Sequence, residues 1–127
     1  MSSAVNFEVQ LKDLLLADEG VAAIVGHKIF PLVIPQGTKL PCVSFQRISG
    51  MPANTLLGAS GLEKINIEID AWAKNYADAK DLAIAIRAAM PAQGAWGAHL
   101  DADQDIYDSD TKYYRVIMEY TVWFCEE

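Results

Sequence analysis

The sequence has few cysteines, no long apolar run and no excess of positive charge. Its 127 residues include two cysteines, Cys42 and Cys125, which are far apart and form no CxxC pair, so we interpret both as reduced, packed thiols. No run approaches the roughly 20 apolar residues of a membrane span, and the N-terminus lacks a basic segment followed by a long apolar one. We therefore expect a soluble, cytoplasmic protein with no membrane partner.

Positive charge is scarce where negative charge is concentrated. The net charge is −7; residues 1–64 hold five basic and five acidic side chains, whereas residues 65–127 hold five basic and twelve acidic ones. Such a surface repels phosphate over about 8 Å in physiological salt, so sequence-specific nucleic-acid binding is not expected. The segment DADQDIYDSD carries five of the acidic residues: Asp101, Asp103, Asp105, Asp108 and Asp110.

No motif in the sequence predicts catalysis or a cofactor. Cys42 could pair with a histidine, His27 or His99, but it lies in an alternating strand pattern where a small apolar residue is expected. A calcium loop counted from Asp101 lacks the required glycine at its sixth position and the glutamate at its twelfth. We expect no catalytic residue, no cofactor and no calcium loop, and a looser divalent-cation site in the acidic segment stays open.

The hydrophobic pattern predicts two substantial helices. Phe7, Leu11, Leu14 and Leu15 recur at spacings of three and four, which indicates a helix over residues 4–16 with one buried stripe. A short turn, VAAIVG, follows and ends at a glycine suited to a left-handed cap. A second amphipathic helix begins after the capping residue Asn75 and is stopped by Pro91.

Alternating polar and apolar residues predict the strands. The segments are CVSFQRI after Pro41, LEKINIEIDAW at 62–72 and KYYRVIMEYTVWF at 112–124, while KIFPLVI contains prolines and is an edge strand or a strapped loop. Residues 101–110 are predicted to be a solvated acidic loop leading into the last strand. The order indicates one α+β domain over 1–127, a mostly antiparallel sheet with helices packed on one face.

Two glycine-rich segments carry large apolar side chains. Residues 49–61, SGMPANTLLGASG, are expected to be a flexible loop containing Met51, Leu56 and Leu57, and Trp96 lies in the predicted turn QGAWGAH. Such side chains either fold back on the core or meet a partner. Our hypothesis is that these four residues form an interface.

The succession of segments resembles the tail-completion, or tail-terminator, proteins of long-tailed bacteriophages and prophages. The likeness extends from about residue 11 to residue 124, and its most specific pieces are Gly-x-x-Ile-Phe-Pro at 26–31, Leu-Pro-x-Val at 40–43 and the run from Asp70 into the helix. None of these pieces is catalytic. The match is therefore one of pattern and order.

The resemblance implies a structural virion protein and no enzyme. It would cap the completed tail tube, in a hexameric ring, and provide the surface that joins the head, so its partners would be its own copies, the tail tube protein and the head–tail connector. It would reside in the host cytoplasm during assembly and then in the virion tail. Because a genome must pass through such a ring, the acidic segment at 101–110 is expected to face the lumen or, equally, to be a solvated loop on the outer rim.

Two other classes of function fit an α+β body of this size. One is a small ligand-binding module or enzyme of unknown substrate, which lacks a converging polar cluster in the sequence. The other is a nucleic-acid-binding sheet of the ferredoxin type, which the net charge of −7 disfavours.

Overall fold

The computed structural model of the chain describes residues 3–52, 62–91 and 96–125. Within these ranges, side chains are described for residues 7–48, 64–91 and 97–123. The elements, in chain order, are α1 Ser3–Ala17, α2 Glu19–Val25, β1 Ile29–Pro31, β2 Cys42–Pro52, β3 Leu62–Ala73, α3 Tyr76–Ala89, β4 Trp96–Asp108 and β5 Tyr113–Cys125.

Local sequence signals set the ends of the helices. The Asp18 carboxylate accepts a hydrogen bond of 3.0 Å from the Val21 amide and begins α2, which ends at Gly26 with a positive φ of 64°. Asn75 accepts a bond of 2.8 Å from the Asp78 amide and begins α3. The predicted helices and the Asn75 cap are therefore confirmed; Gly26 ends α2 with a positive φ as expected, but its ψ of −118° is not that of the left-handed helical region.

The five strands form one sheet in the order β1-β2-β3-β5-β4. The pairs β2–β3, β3–β5 and β4–β5 are antiparallel, and only the three-residue β1 pairs in parallel, with β2, among the described strands. The short edge strand β1 includes Pro31, as expected for a residue that cannot donate a ladder hydrogen bond. The predicted α+β class with a mostly antiparallel sheet is confirmed.

All three helices pack on one face of this sheet. The stripe of α1 (Phe7, Leu11 and Leu15) is fully buried, and α3 contributes Leu82 and Ile86. These side chains meet alternate residues of the strands, because successive strand residues point to opposite faces. The strand side of this core comprises Val43, Phe45, Ile65, Ile67, Ile69, Ala71, Ala73, Val116, Met118, Tyr120 and Val122.

The prediction that residues 101–110 form a loop is wrong. Most of that segment belongs to β4, which runs from Trp96 to Asp108 along β5, and Trp96 begins the strand instead of occupying a turn. Aspartate is disfavoured in strands, but β4 is an edge strand, where charged side chains are tolerated and discourage pairing with other chains. Two of its aspartates also gain cationic partners on α3, as described below.

The first four residues of the segment predicted to be a flexible loop, 49–61, belong to a strand instead. Ser49–Pro52 continue β2 after a register shift between Arg47 and Ser49, with Met51 opposite Lys64. A bulge of this kind interrupts the alternation that marks a strand in sequence. Residues 53–61, including Leu56 and Leu57, lie outside the described part of the chain.

Candidate functional site

The sheet face opposite the helices, here termed the open face, carries the candidate site. Since the apolar residues of β3 and β5 point to the helices, the intervening polar and aromatic residues point to the other side. The open face comprises Ser44 and Gln46 of β2, Lys64, Asn66, Glu68, Asp70 and Trp72 of β3, and Arg115, Ile117, Glu119, Thr121 and Trp123 of β5.

Two pairs of cation and tryptophan lie toward the two ends of the open face. Trp72 and Arg115 are register partners, and the guanidinium carbon lies 4.8 Å from the centroid of the indole ring. Lys64 and Trp123 are also register partners, with the ammonium nitrogen 5.8 Å from the ring centroid. Each pair crosses the same β3–β5 ladder, and each contributes about 0.5–1 kcal/mol where it is exposed.

Three acidic side chains lie between these pairs. Glu68 and Glu119 face each other across the ladder, and Asp70 follows Glu68 on the same face of β3. Like charges placed directly opposite destabilise a sheet. The centre of the open face therefore attracts cations more strongly than its two ends do.

Asp70 is the buried member of the acidic group, with 7% of its side chain exposed. Burial, a hydrogen bond to Glu68 and the charge of Glu68 raise the pKa of the Asp70 carboxyl to about 8, although Arg115 opposes the shift with Nη1 3.6 Å from Asp70 Oδ2. Asp70 is therefore largely protonated at neutral pH. Its Oδ1 has no hydrogen-bond partner.

A cleft of about 510 Å³ opens beside Asp70 at the β1–β2 side of the open face. One wall is the segment Leu32–Ile34, here termed the strap, whose Leu32 and Val33 side chains are 70% and 75% exposed. The backbone amide of Leu32 anchors the strap by donating to the Phe45 carbonyl at 2.8 Å. The remaining lining residues are Ser44, Phe45, Gln46, Glu68, Asp70, Trp72 and Arg115.

Trp72 is held in place by two different interactions at the edge of this cleft. Its indole nitrogen donates to the Ser44 hydroxyl at 2.9 Å, and its ring stacks against Arg115. Ser44 itself is buried. The floor of the cleft is thus fixed by contacts that join β2, β3 and β5.

The acidic segment does not present its five aspartates on one surface. Asp103 and Asp105 turn to the helix side, where Asp103 lies 3.7 Å from Arg87 and Asp105 lies 3.2 Å from Lys80. The Tyr76 hydroxyl also donates to Asp105, and this bond is the main cause of the lowered pKa of the Asp105 carboxyl. Both carboxylates are therefore partly neutralised within the chain.

The other three aspartates have different surroundings. Asp101 accepts a hydrogen bond from the Thr121 hydroxyl on the open face. Asp108 accepts one from the Asp110 amide in the β4–β5 turn, and this bond is the main cause of the lowered pKa of the Asp108 carboxyl. Asp110 is exposed in the same turn.

The predicted interface residues are only partly placed. Met51 lies on β2 and Trp96 on β4, and their side chains are outside the described set, as are Leu56 and Leu57 entirely. The backbone register nevertheless puts Met51 and Trp96 at one end of the sheet. Met51 pairs with Lys64, and Lys64 pairs with Trp123. Trp96 pairs with the residue that follows Trp123 on β5.

Cys42 is a buried free thiol. Burial raises its pKa to about 11, against a smaller opposing effect of Lys28, so the thiol is protonated at neutral pH. His99 lies on β4, three strands away from β2, a separation of about 14 Å at the usual spacing of strands. Cys42 and His99 are therefore too far apart to form a catalytic pair.

Sequence reasoning missed the Asp70–Arg115–Trp72 group. The alternation in LEKINIEIDAW indicates only that Asp70 lies on the polar face of a strand, and no sequence signal gives the pairing of Trp72 with Arg115, 43 positions further along the chain. Within the described residues, no group of three or more His, Cys, Asp or Glu side chains could hold a metal ion. None of the helices in that part of the chain is long and apolar enough to cross a membrane.

Comparison with known proteins gives a family and a fold. Solved structures match the chain; one is a chain of the "Virion of native gene transfer agent (GTA) particle", 22% identical, with a TM-score of 0.74 over 98% of this chain and all of that one. No curated protein sequence matches. A family model described as tail completion protein gp17 matches residues 9–124. The chain therefore belongs to the phage tail completion protein gp17 family, a family of structural proteins of the virion tail.

Proposed function

We propose that this chain caps the completed phage tail tube as a hexameric ring and provides the surface to which the head is joined. The family match over residues 9–124 is the observation that carries this proposal. Its partners are then further copies of the chain, the tail tube protein and the head–tail connector protein. Assembly takes place in the host cytoplasm before the protein becomes part of the virion tail.

A structural role without catalysis fits the protonation and burial of Cys42, the one thiol whose side chain the structure describes. A nucleophilic cysteine needs a lowered pKa and a positioned base. Cys42 has a raised pKa and is buried. Its place in the strand supports packing as its role.

The two ends of the sheet differ in a way that suits head-to-tail assembly. One end carries Met51 of β2 and Trp96 of β4, and the other carries the β4–β5 turn with Asp108 and Asp110. A ring requires one patch to meet a different patch on the next copy. The apolar end is proposed to make the contact with the next copy or with the tube.

The acidic residues are proposed to face the lumen of the ring. The ion pairs of Asp103 and Asp105 with α3 leave Asp101, Asp108 and Asp110 as the carboxylates that could repel passing DNA. A lining of cations would instead bind phosphates in proportion to the number neutralised. The same three residues on the outer rim are the alternative.

Electron microscopy of the purified chain mixed with completed tail tubes tests the proposal. We expect a six-fold ring at one end of each tube. Tubes whose ends carry no additional density, under conditions in which the chain is folded and in excess, would contradict it. Tubes of a phage with an unrelated tail tube protein are the control and should stay bare.

A further inference from the structure

The cleft beside Asp70 is not accounted for by the proposed ring. Its lining joins three features that seldom occur together at a surface: a buried carboxyl group, an acceptor oxygen without a donor, and exposed apolar side chains. Unbonded buried oxygens are rare because each costs the free energy of a lost hydrogen bond. Such an oxygen therefore requires an explanation, and a ligand that supplies the missing donor is one.

The contacts around Asp70 leave it short of donors. Among the described residues, Arg115 is the cation that lies beside Asp70. Its Nη1 is 3.6 Å from Asp70 Oδ2, which is longer than a good charge-assisted hydrogen bond. The same guanidinium stacks on Trp72, which holds it at the edge of the cleft. Asp70 shares a hydrogen bond with Glu68, and its raised pKa means that it retains a proton where a second cation would otherwise be favoured.

The strap supplies the apolar part of the site. Leu32 and Val33 are largely exposed, and they face the same cleft as Asp70 and Glu68. A lysine or arginine side chain combines an aliphatic stem with a charged donor head. Such a side chain would cover Leu32 and Val33 with its stem while its head reaches the carboxyl groups.

Charge favours this occupant over an anion. With Asp70 protonated, the charge of Glu68 balances that of Arg115, and Glu119, which lies opposite Glu68 on the open face, leaves one negative charge in excess. The whole chain has a net charge of −7, which also draws a basic partner toward it.

We propose that this cleft binds a lysine or arginine side chain presented by a partner protein, with its charged head on the Glu68–Asp70 pair and its stem on the strap. Binding releases the proton of Asp70 to solvent, and the cation takes its place beside the carboxylate. The inference does not depend on ring formation, because the whole cleft lies within one chain.

Titration of the isolated chain with Nα-acetyl-arginine amide tests the proposal. The Trp72 indole resonance in an NMR spectrum reports on the cleft, and Nα-acetyl-citrulline amide is a neutral probe of the same shape. We expect saturable shifts with the arginine probe and affinity about tenfold or more weaker for the citrulline probe, since the charge-assisted bond is lost. Equal shifts for both probes, or no saturable shift with arginine, would overturn the proposal.

Two variants locate the binding. Asp70→Asn should weaken arginine binding about tenfold or more, and Asp81→Asn, an exposed position on the outer side of α3, should leave it unchanged. If Asp70→Asn does not fold, Glu68→Gln at its half-buried position serves the same purpose. Binding that is unaffected by a folded variant of either residue would contradict the site.

Sedimentation separates the partner from a second copy. The proposal predicts that wild type and Asp70→Asn self-associate equally. Self-association that is lost only in Asp70→Asn would make a second copy of this chain the occupant and would overturn the assignment to a separate partner.

Discussion

Trp72 of β3 and Arg115 of β5 are register partners, and the Arg115 guanidinium lies 4.8 Å from the Trp72 ring centroid and 3.6 Å from Asp70. One cation therefore lies against an aromatic ring and beside a buried carboxyl group at once. Through the bond from Trp72 to Ser44, the group extends across three strands. It fixes one end of the open face.

Replacing Arg115 by glutamine should destabilise the protein by about 1 kcal/mol or more, because the cation–π contact and the partner of Asp70 are lost together. Urea unfolding measures the loss. Arg87→Gln is the matched control: its ion pair with Asp103 is 3.7 Å long and half-exposed, so its removal should cost less than about 0.5 kcal/mol. Equal losses in the two variants would contradict the role given to Arg115.

Asp70→Asn should change how stability depends on pH. The pKa of Asp70 is raised from 3.8 to about 8 by burial and by Glu68, so the folded state binds this proton more tightly than the unfolded chain does. The contribution of Asp70 to the free energy of unfolding therefore falls as pH rises from about 4 to about 8.

Asparagine carries no such proton, so the stability of the variant relative to wild type should increase between pH 5 and pH 8, as measured by urea unfolding at each pH. An NMR titration of the Asp70 carboxyl carbon is the independent measurement. A stability difference that stays constant over this range would show that Asp70 ionises normally.

Much of the fold could be predicted from sequence because it depends on local patterns. The stripe of Phe7 and Leu11 and the Asn75 cap each act within a few residues, and both are found as expected. Ile65, Ile67 and Ile69 likewise alternate with polar residues in LEKINIEIDAW, and all three are buried in β3. The order of the strands could not be obtained in this way, since β5 inserts between β3 and β4.

The edge strand β4 was missed because its stability is not local. Asp103 and Asp105 oppose strand formation by composition, and their compensation comes from Arg87 and Lys80 on α3, which the sequence does not place beside them. The candidate site was missed for the same reason. Asp70 differs from an ordinary polar strand residue because the strand register brings Arg115 close to it and because the strap forms one wall of the cleft beside it.

The thiols are predicted to be structural. Cys42→Ala combined with Cys125→Ala should leave tail assembly within a few-fold of normal, and loss of the buried Cys42 sulfur should cost about 1 kcal/mol. Because the pKa of Cys42 is raised to about 11, Cys42 in the native protein should also resist iodoacetamide at pH 7.5, as read by peptide mapping. Abolished assembly by a folded double variant would rule this out.

Leu56 and Leu57 are predicted to act at an interface. Leu56→Ser with Leu57→Ser should impair assembly while leaving the melting temperature of the monomer nearly unchanged, since ordering of residues 53–61 is expected at the contact. The control replaces Val9 and Ile84, two exposed apolar residues of the helices, by serine. Strong protection of residues 53–61 from hydrogen exchange in the free monomer would argue against the idea.

The lumen proposal is tested by charge reversal that spares the ion pairs of α3. Asp101→Lys with Asp110→Lys should give particles with normal tails that retain or eject DNA abnormally. Asp13→Lys with Asp81→Lys makes the same change in charge on exposed helix positions and should have no such effect. Normal DNA delivery by the first variant would leave the outer rim as the position of these aspartates.

The length of the tails tests the central claim most directly. In the phage or prophage that encodes this chain, the gene should be deleted and the particles measured by electron microscopy, with the gene restored in trans as the control. A protein that caps the tube predicts tails that extend beyond their normal length and carry no heads, and recovery of both properties on complementation. Headed particles with tails of normal length in the deletion strain would contradict the account.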